Sequence, residues 1–205
     1  MNYKKRINKG FTLTEVLLAI GISALIIITI FIAYPRAVAS KNARAEVSNI
    51  STIRAGMSSL FAGVPLESQS TSSNMNSIFV KAGVVPDDMI SNASSGTLEN
   101  IWGGDVYLGT TAINGRKSFA IQYNFVPVEE CVKMVTAAAP FFDQIIIAAK
   151  FSSNTGGIMS GGGYTAAGMD DSGNKITMNP ATIVSYCKTD GSSTDQRALI
   201  IFKFF

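Results

Sequence analysis

The 205-residue chain carries 17 Lys and Arg against 14 Asp and Glu, two cysteines and no histidine. The missing imidazole excludes Ser-His and Cys-His nucleophile activation and histidine metal sites, and no G-x-S-x-G elbow is present, so no enzyme, cofactor or metal is expected. Lys4, Lys5, Arg6 and Lys9 crowd the first ten positions, which leaves thirteen basic against fourteen acidic side chains in the remainder and no basic footprint for nucleic acid.

Those four positive charges, with no acid among them, hold the N-terminus in the cytoplasm by the positive-inside rule. From Val16 to Ala33 the chain carries no charge. As a helix this stretch spans roughly 27 Å, close to the hydrocarbon thickness of a bilayer. The expected topology is therefore one crossing of the inner membrane, with everything after Tyr34 outside. Between leader and span lies Lys9-Gly10-Phe11-Thr12-Leu13-Thr14-Glu15-Val16. Thr12 and Glu15 fit a capping box, in which the glutamate reaches back to the cap backbone at the positive end of the helix. A carboxylate at the mouth of a membrane helix is also a functional candidate in its own right. Past the apolar run, Ala37-Val38-Ala39 offers a competing secretory cleavage site, although the run is longer than a usual signal segment.

Pro35 should bend the helix, since it removes one hydrogen bond and its ring presses on the preceding turn. Helical spacing then resumes, with Val47, Ile50, Ile53 or Arg54, Met57, Leu60 and Phe61 forming an apolar stripe that predicts core packing. Gly63-Val64-Pro65 supplies the stop. A helix over residues 11–62 would be roughly 78 Å long. Arg36, Lys41 and Arg44 read as a solvated or headgroup-facing cluster.

The head is rich in Gly, Ser, Thr and Asn between apolar runs. Glu67–Asn76 reads as a polar loop and Met75–Ala82 as a short helix ending at Gly83. Ile101–Leu108 and Ser118–Phe125 read as strands, joined through Asn114-Gly115, a strong hairpin signal because both residues tolerate positive φ. Glu129–Ala138 predicts a helix and Gln144–Ala149 a strand. The glycine-rich stretch 156–168 reads as a surface loop, and no Gly-Lys-Ser/Thr follows to make it a phosphate cradle. Asp170-Asp171-Ser172-Gly173-Asn174 lacks the ligand spacing of a calcium loop and reads as a polar turn. Asn179-Pro180 opens a helix to about Lys188, and Ala198–Phe205 is strand-like.

The basic leader ending in Gly10, the aromatic Phe11, Thr12-Leu13-Thr14-Glu15-Val16 and the long apolar run resemble the type IV prepilin family. The head segments Ile101-Trp102-Gly103-Gly104-Asp105-Val106, Phe119-Ala120-Ile121-Gln122-Tyr123 and Val126-Pro127 before Cys131 look like type IVb pilins of the bundle-forming and conjugative kinds, whereas the short leader and Phe11 look like type IVa. The resemblance implies cleavage between Gly10 and Phe11 by a prepilin peptidase, N-methylation of Phe11, and pairing of Glu15 with the Phe11 amine of a neighbouring subunit. It further implies a homopolymer assembled by a membrane platform, a cytoplasmic ATPase and an outer-membrane secretin. The fold implied is α+β: the long N-terminal helix packed on an antiparallel sheet with the last strand inside it.

The expected division is a cleaved leader at 1–10, a helix at 11–62 whose first part, 11–34, lies in membrane or polymer core, and a head at 63–205. Two cysteines in an exported head point to one structural disulfide, Cys131 to Cys187, because the compartment beyond the inner membrane is oxidising. The functional expectation is a structural subunit, the major pilin, that starts in the inner membrane and ends in an extracellular filament for adhesion, aggregation or conjugation. A minor pilin or secretion pseudopilin shares every N-terminal feature. A singly anchored or secreted binding module, with the Ala37-Val38-Ala39 site used, is the alternative of another class.

Overall fold

A computed structural model describes residues 12–66, 74–149, 156–159, 163–188 and 197–205. Gly10 and Phe11 lie outside the described residues, as does the polar loop at 67–73. The chain divides into two compact units, Met1–Ala39 and Ser40–Phe205.

In the first unit, α1 (Leu13–Leu60) begins and runs unbroken through Pro35, whose missing N–H leaves the Phe31 carbonyl without its helical donor. Its apolar window has a mean hydropathy of 3.0 and none of it is buried. Leu17, Leu25, Phe31 and Ile32 are each more than 60% exposed.

The second unit holds the rest of α1 and the head. Among the described residues the head contains α2 (Asn76–Lys81), β1 (Ile90–Asn92), β2 (Thr97–Glu99), β3 (Asp105–Ile113), β4 (Arg116–Pro127), α3 (Val128–Ala138), β5 (Gln144–Ala149), β6 (Tyr164–Met169), β7 (Lys175–Ile176), α4 (Pro180–Cys187) and β8 (Arg197–Phe204). The strands form one sheet in the order β1-β2-β3-β4-β8-β5-β6-β7, with every pairing antiparallel. The last strand thus lies inside the sheet, between β4 and β5, as the resemblance implied.

Strand alternation sends Ala198, Ile200, Phe202 and Phe204 of β8 to one face, where they join Ala43, Ile50, Ile53 and Met57 of α1 in the main core. Ile53 takes the core position, and Arg54 lies over the rings of Phe142 and Phe204 at 5.6 and 5.3 Å. Leu60, expected in the stripe, is 44% exposed instead. The helix ends there, which breaks its phase, and Phe61 packs on Phe79 and Phe119.

The Asn114-Gly115 turn forms as expected, with φ of +48° and +75° between paired Ile113 and Arg116. Two further expectations are corrected. Residues 101–104 are a turn rather than the start of a strand, because the Asn100 side chain accepts from the N–H of Trp102 and of Gly104 and so satisfies the backbone locally. Gly104 is required there, since a β-carbon would fall on the Asn124 carbonyl. The glycine-rich stretch is not all loop: Tyr164–Met169 pairs with β5. Its Ile158 is buried over the second sheet face with Tyr107, Ile146, Leu199 and Ile201. Gln122 holds that segment like a short strand, donating to the Gly157 carbonyl at 3.3 Å and accepting from the Met159 N–H at 2.8 Å. The short strands β1 and β2 carried no readable alternation, being three residues each.

Candidate functional site

The first group of interest sits at the start of α1. Glu15 Oε2 accepts from the Thr12 N–H and the Thr12 hydroxyl, both at 3.1 Å, while the Glu15 N–H donates to the Thr12 Oγ1 at 3.3 Å. This is the reciprocal capping box read from the sequence, and it satisfies two N-terminal donors that no helical carbonyl can reach. Beside Glu15, the small side chains of Ala19, Ser23 and Ala24 leave a shallow, solvent-open trough along one face of α1, among Val16, Ile20 and Ile27. The Ser23 hydroxyl is turned back onto the Ala19 carbonyl at 2.7 Å, so the trough presents apolar surface with one carboxylate at its end. Small residues let a second helix approach closely in a medium where polar groups have no water.

The second group anchors the C-terminal part of α1 in the head, and sequence reading missed its centre. Glu46 is only 3% exposed. Its Oε1 accepts from the Ile101 N–H at 2.8 Å and its Oε2 from the Tyr123 hydroxyl at 3.1 Å. Asn49 donates to it at 3.5 Å and to Asp88 at 3.4 Å. Among the described residues no cation pairs with Glu46. Burial therefore raises its pKa above the usual carboxylate range; the Ile101, Tyr123 and Asn49 hydrogen bonds oppose that rise, and the Asp88 charge adds to it. Burial, reinforced by the Glu46 charge, raises the Tyr123 phenol well above its ordinary value. One signal was available: a lone acid at position 46 falls in phase with Ile50, Ile53 and Met57 on the buried face.

The structure joins Cys131 in α3 to Cys187 in α4, with Cα atoms 5.9 Å apart. The Asn179 side chain caps α4 by accepting from the Ala181 N–H at 3.0 Å, which fixes where Cys187 falls. Closing a loop of 56-residue separation stabilises the head by about 4 kcal/mol through the unfolded chain. Cys187→Ser is accordingly expected to lower unfolding stability by about 4 kcal/mol, read from the denaturant midpoint of the full chain in detergent; an unchanged midpoint would contradict this role.

The Asp170–Asn174 segment is the expected polar turn. The Asn174 side-chain amide donates to Asp170 Oδ2 at 3.1 Å, and Asp170 Oδ1 accepts from the N–H of Asn174 and of Ser172, which together lower its pKa. Among the described residues no His, Cys, Asp and Glu cluster could hold a metal ion.

Residues 40–200 match the family described as PilS N terminal, and residues 5–31 match the prokaryotic N-terminal methylation motif. No curated protein matches the chain. The fold is similar to that of a type IVb pilin from Salmonella typhi, at 23% identity and a TM-score of 0.52 over 78% of this chain and 97% of that one. It is similar also to TcpA, a type IV pilin from Vibrio cholerae El Tor biotype, at 14% identity and a TM-score of 0.53 over 80% of this chain and 99% of that one. A long helix with an apolar exposed first part, a core-facing second part and an antiparallel sheet closed by its last strand is the type IV pilin fold, and this chain belongs to the PilS N-terminal family.

Proposed function

We propose that the chain is the major structural subunit of a type IV pilus. The precursor is held in the inner membrane by residues 16–33 with its head outside. It is cleaved between Gly10 and Phe11 by a prepilin peptidase and methylated on the Phe11 amine. Extraction by an assembly platform and its ATPase then stacks the helices into an apolar filament core, and the filament leaves through a secretin. The observation that carries this reading is the apolar first part of α1, unburied along its whole window and matched by the N-terminal methylation motif, on a chain whose head has a pilin fold.

Exposed surface of this kind is covered by lipid or by other helices, and a subunit that exchanges one cover for the other needs no new fold. The trough beside Glu15 suits the second cover, because a neighbouring helix can seat there and bring its N-terminal amine to the carboxylate. In the free chain that carboxylate caps its own helix, so the two partners of Glu15 serve in turn.

Mass spectrometry of the mature N-terminus tests the processing. The expected result is a chain beginning at methylated Phe11 and full loss of processing in Gly10→Val. A chain beginning at Ser40 would sink the pilin reading in favour of a secreted module. Quantifying the chain in sheared fibres separates major from minor subunit, since the major one forms the bulk of the filament.

A further inference from the structure

We propose that the groove between residues 40–47 of α1 and residues 132–137 of α3 seats the headgroup end of an anionic phospholipid in the outer leaflet of the inner membrane. The groove holds about 420 Å³, within the range of small-molecule sites. Ala43 and Val47 form one wall and Val132 and Ala137 the other, with Arg44 and Lys133 at the rim. Lys133 is bonded to Glu129 at 2.8 Å, so those two charges largely cancel. Arg44 is exposed and, among the described residues, has no carboxylate within ion-pair distance. Lys41 is exposed three positions before it on the same helix surface. The site therefore offers surplus positive charge directly beside apolar walls.

That pairing selects the chemistry of the occupant. A bare anion would use the cations and leave the walls wetted, whereas an uncharged lipid would use the walls and leave the cations without a counter-charge. A phospholipid with a net negative headgroup uses both. Covalent connection supplies the encounter: Ser40 follows Ala33 by seven residues, and even a fully extended chain of that length reaches at most about 25 Å. The rival occupant is a second copy presenting the exposed acidic pair Asp87-Asp88, which would bring charge to the rim but no acyl surface to the walls. On this account the lipid steadies the head of the waiting subunit and is shed when the subunit leaves the membrane.

The proposal rests on residues 16–33 spanning the membrane, and the test keeps the two apart. The full chain is reconstituted into phosphatidylcholine vesicles containing a trace of diazirine-bearing phosphatidylglycerol or diazirine-bearing phosphatidylcholine, illuminated, and mapped by peptide mass spectrometry. The expected result is preferential labelling of peptides carrying residues 40–47 or 132–137 by the phosphatidylglycerol probe. The Lys41→Gln, Arg44→Gln double variant is expected to reduce that labelling roughly tenfold while leaving labelling of 16–33 unchanged. Both positions are exposed, and a free-thiol assay verifies that the disulfide has formed in the variant.

Equal labelling by the two probes overturns the proposal, as does an unchanged yield in the variant. So does loss of the preference on adding inorganic phosphate, which would make the groove a simple anion site. Carbodiimide coupling in a mixture of isotopically light and heavy chains that joins Lys41 of one copy to Asp87 or Asp88 of another assigns the groove to the polymer instead. If an alkaline carbonate wash releases the chain from the vesicles, the membrane-span reading itself fails; a retained chain without probe preference fails the lipid seat alone.

Discussion

Glu15→Gln is expected to leave cleavage at Gly10 and folding of the head intact while surface fibres fall at least about tenfold. Cleavage needs the leader and head folding needs the sheet core, and neither uses the Glu15 charge. The proposed assembly does, because stacking apolar helices would remove the carboxylate from water, and a buried charge stripped of its partner costs about 3–5 kcal/mol. At about 1.4 kcal/mol per factor of ten, that loss is ample to remove a subunit from a reversible polymer. Glutamine is the discriminating choice. It keeps an oxygen able to accept from the Thr12 N–H and hydroxyl, as Glu15 does at 3.1 Å in the free chain, and gives up only the charge. Processed protein in the membrane and fibre yield after shearing are the two readouts. Normal fibres from Glu15→Gln cells would reduce the residue to a helix cap and end the ion-pair mechanism.

The second large effect belongs to Glu46. Glu46→Ala is expected to destabilise the head by about 2–4 kcal/mol, because it orphans the Ile101 N–H and the buried Tyr123 hydroxyl. Glu46→Gln can accept from Ile101 and donate to Tyr123, so its loss should stay within about 1 kcal/mol.

The pH dependence distinguishes the native head from Glu46→Gln. Burial raises the folded-state pKa of Glu46 above its unfolded value, with Asp88 adding to the shift, so the folded chain holds the proton more tightly than the unfolded one. The contribution is fully present below the unfolded pKa and is lost as pH rises through the raised folded value. The native head should therefore gain stability from this group on mild acidification below neutrality, whereas Glu46→Gln should lack that component. Denaturant midpoints of the full chain in detergent across this range measure it, and a native profile identical to that of Glu46→Gln would show that Glu46 is not held at a raised pKa.

The N-terminal half of the reading was legible because its signals are local. A basic leader, a charge-free run and a carboxylate at their junction are adjacent in sequence and need no knowledge of what packs where. Turn and cap chemistry is equally local: Asn114-Gly115 forms its hairpin by its own φ preferences, Asn179 caps α4 from two residues away, and Gln144–Ala149 is a strand along its whole predicted length.

What the sequence left undecided is non-local. The Ile101–Leu108 run has strand composition, yet Asn100 diverts its first four residues into a turn that meets a helix carboxylate 55 positions earlier. Tyr164–Met169 reads as glycine-flanked loop and becomes a strand because β5 lies beside it with free backbone edge. Glu46 reads as one more surface charge until Tyr123, 77 positions later, supplies its hydrogen bond. Periodicity, charge and turn propensity thus determined the membrane-length helix, the capping box at its start and the class of the head. Only the packed sheet decided which polar groups are buried, because backbone and side-chain partners that far apart in sequence are brought together by strand order alone.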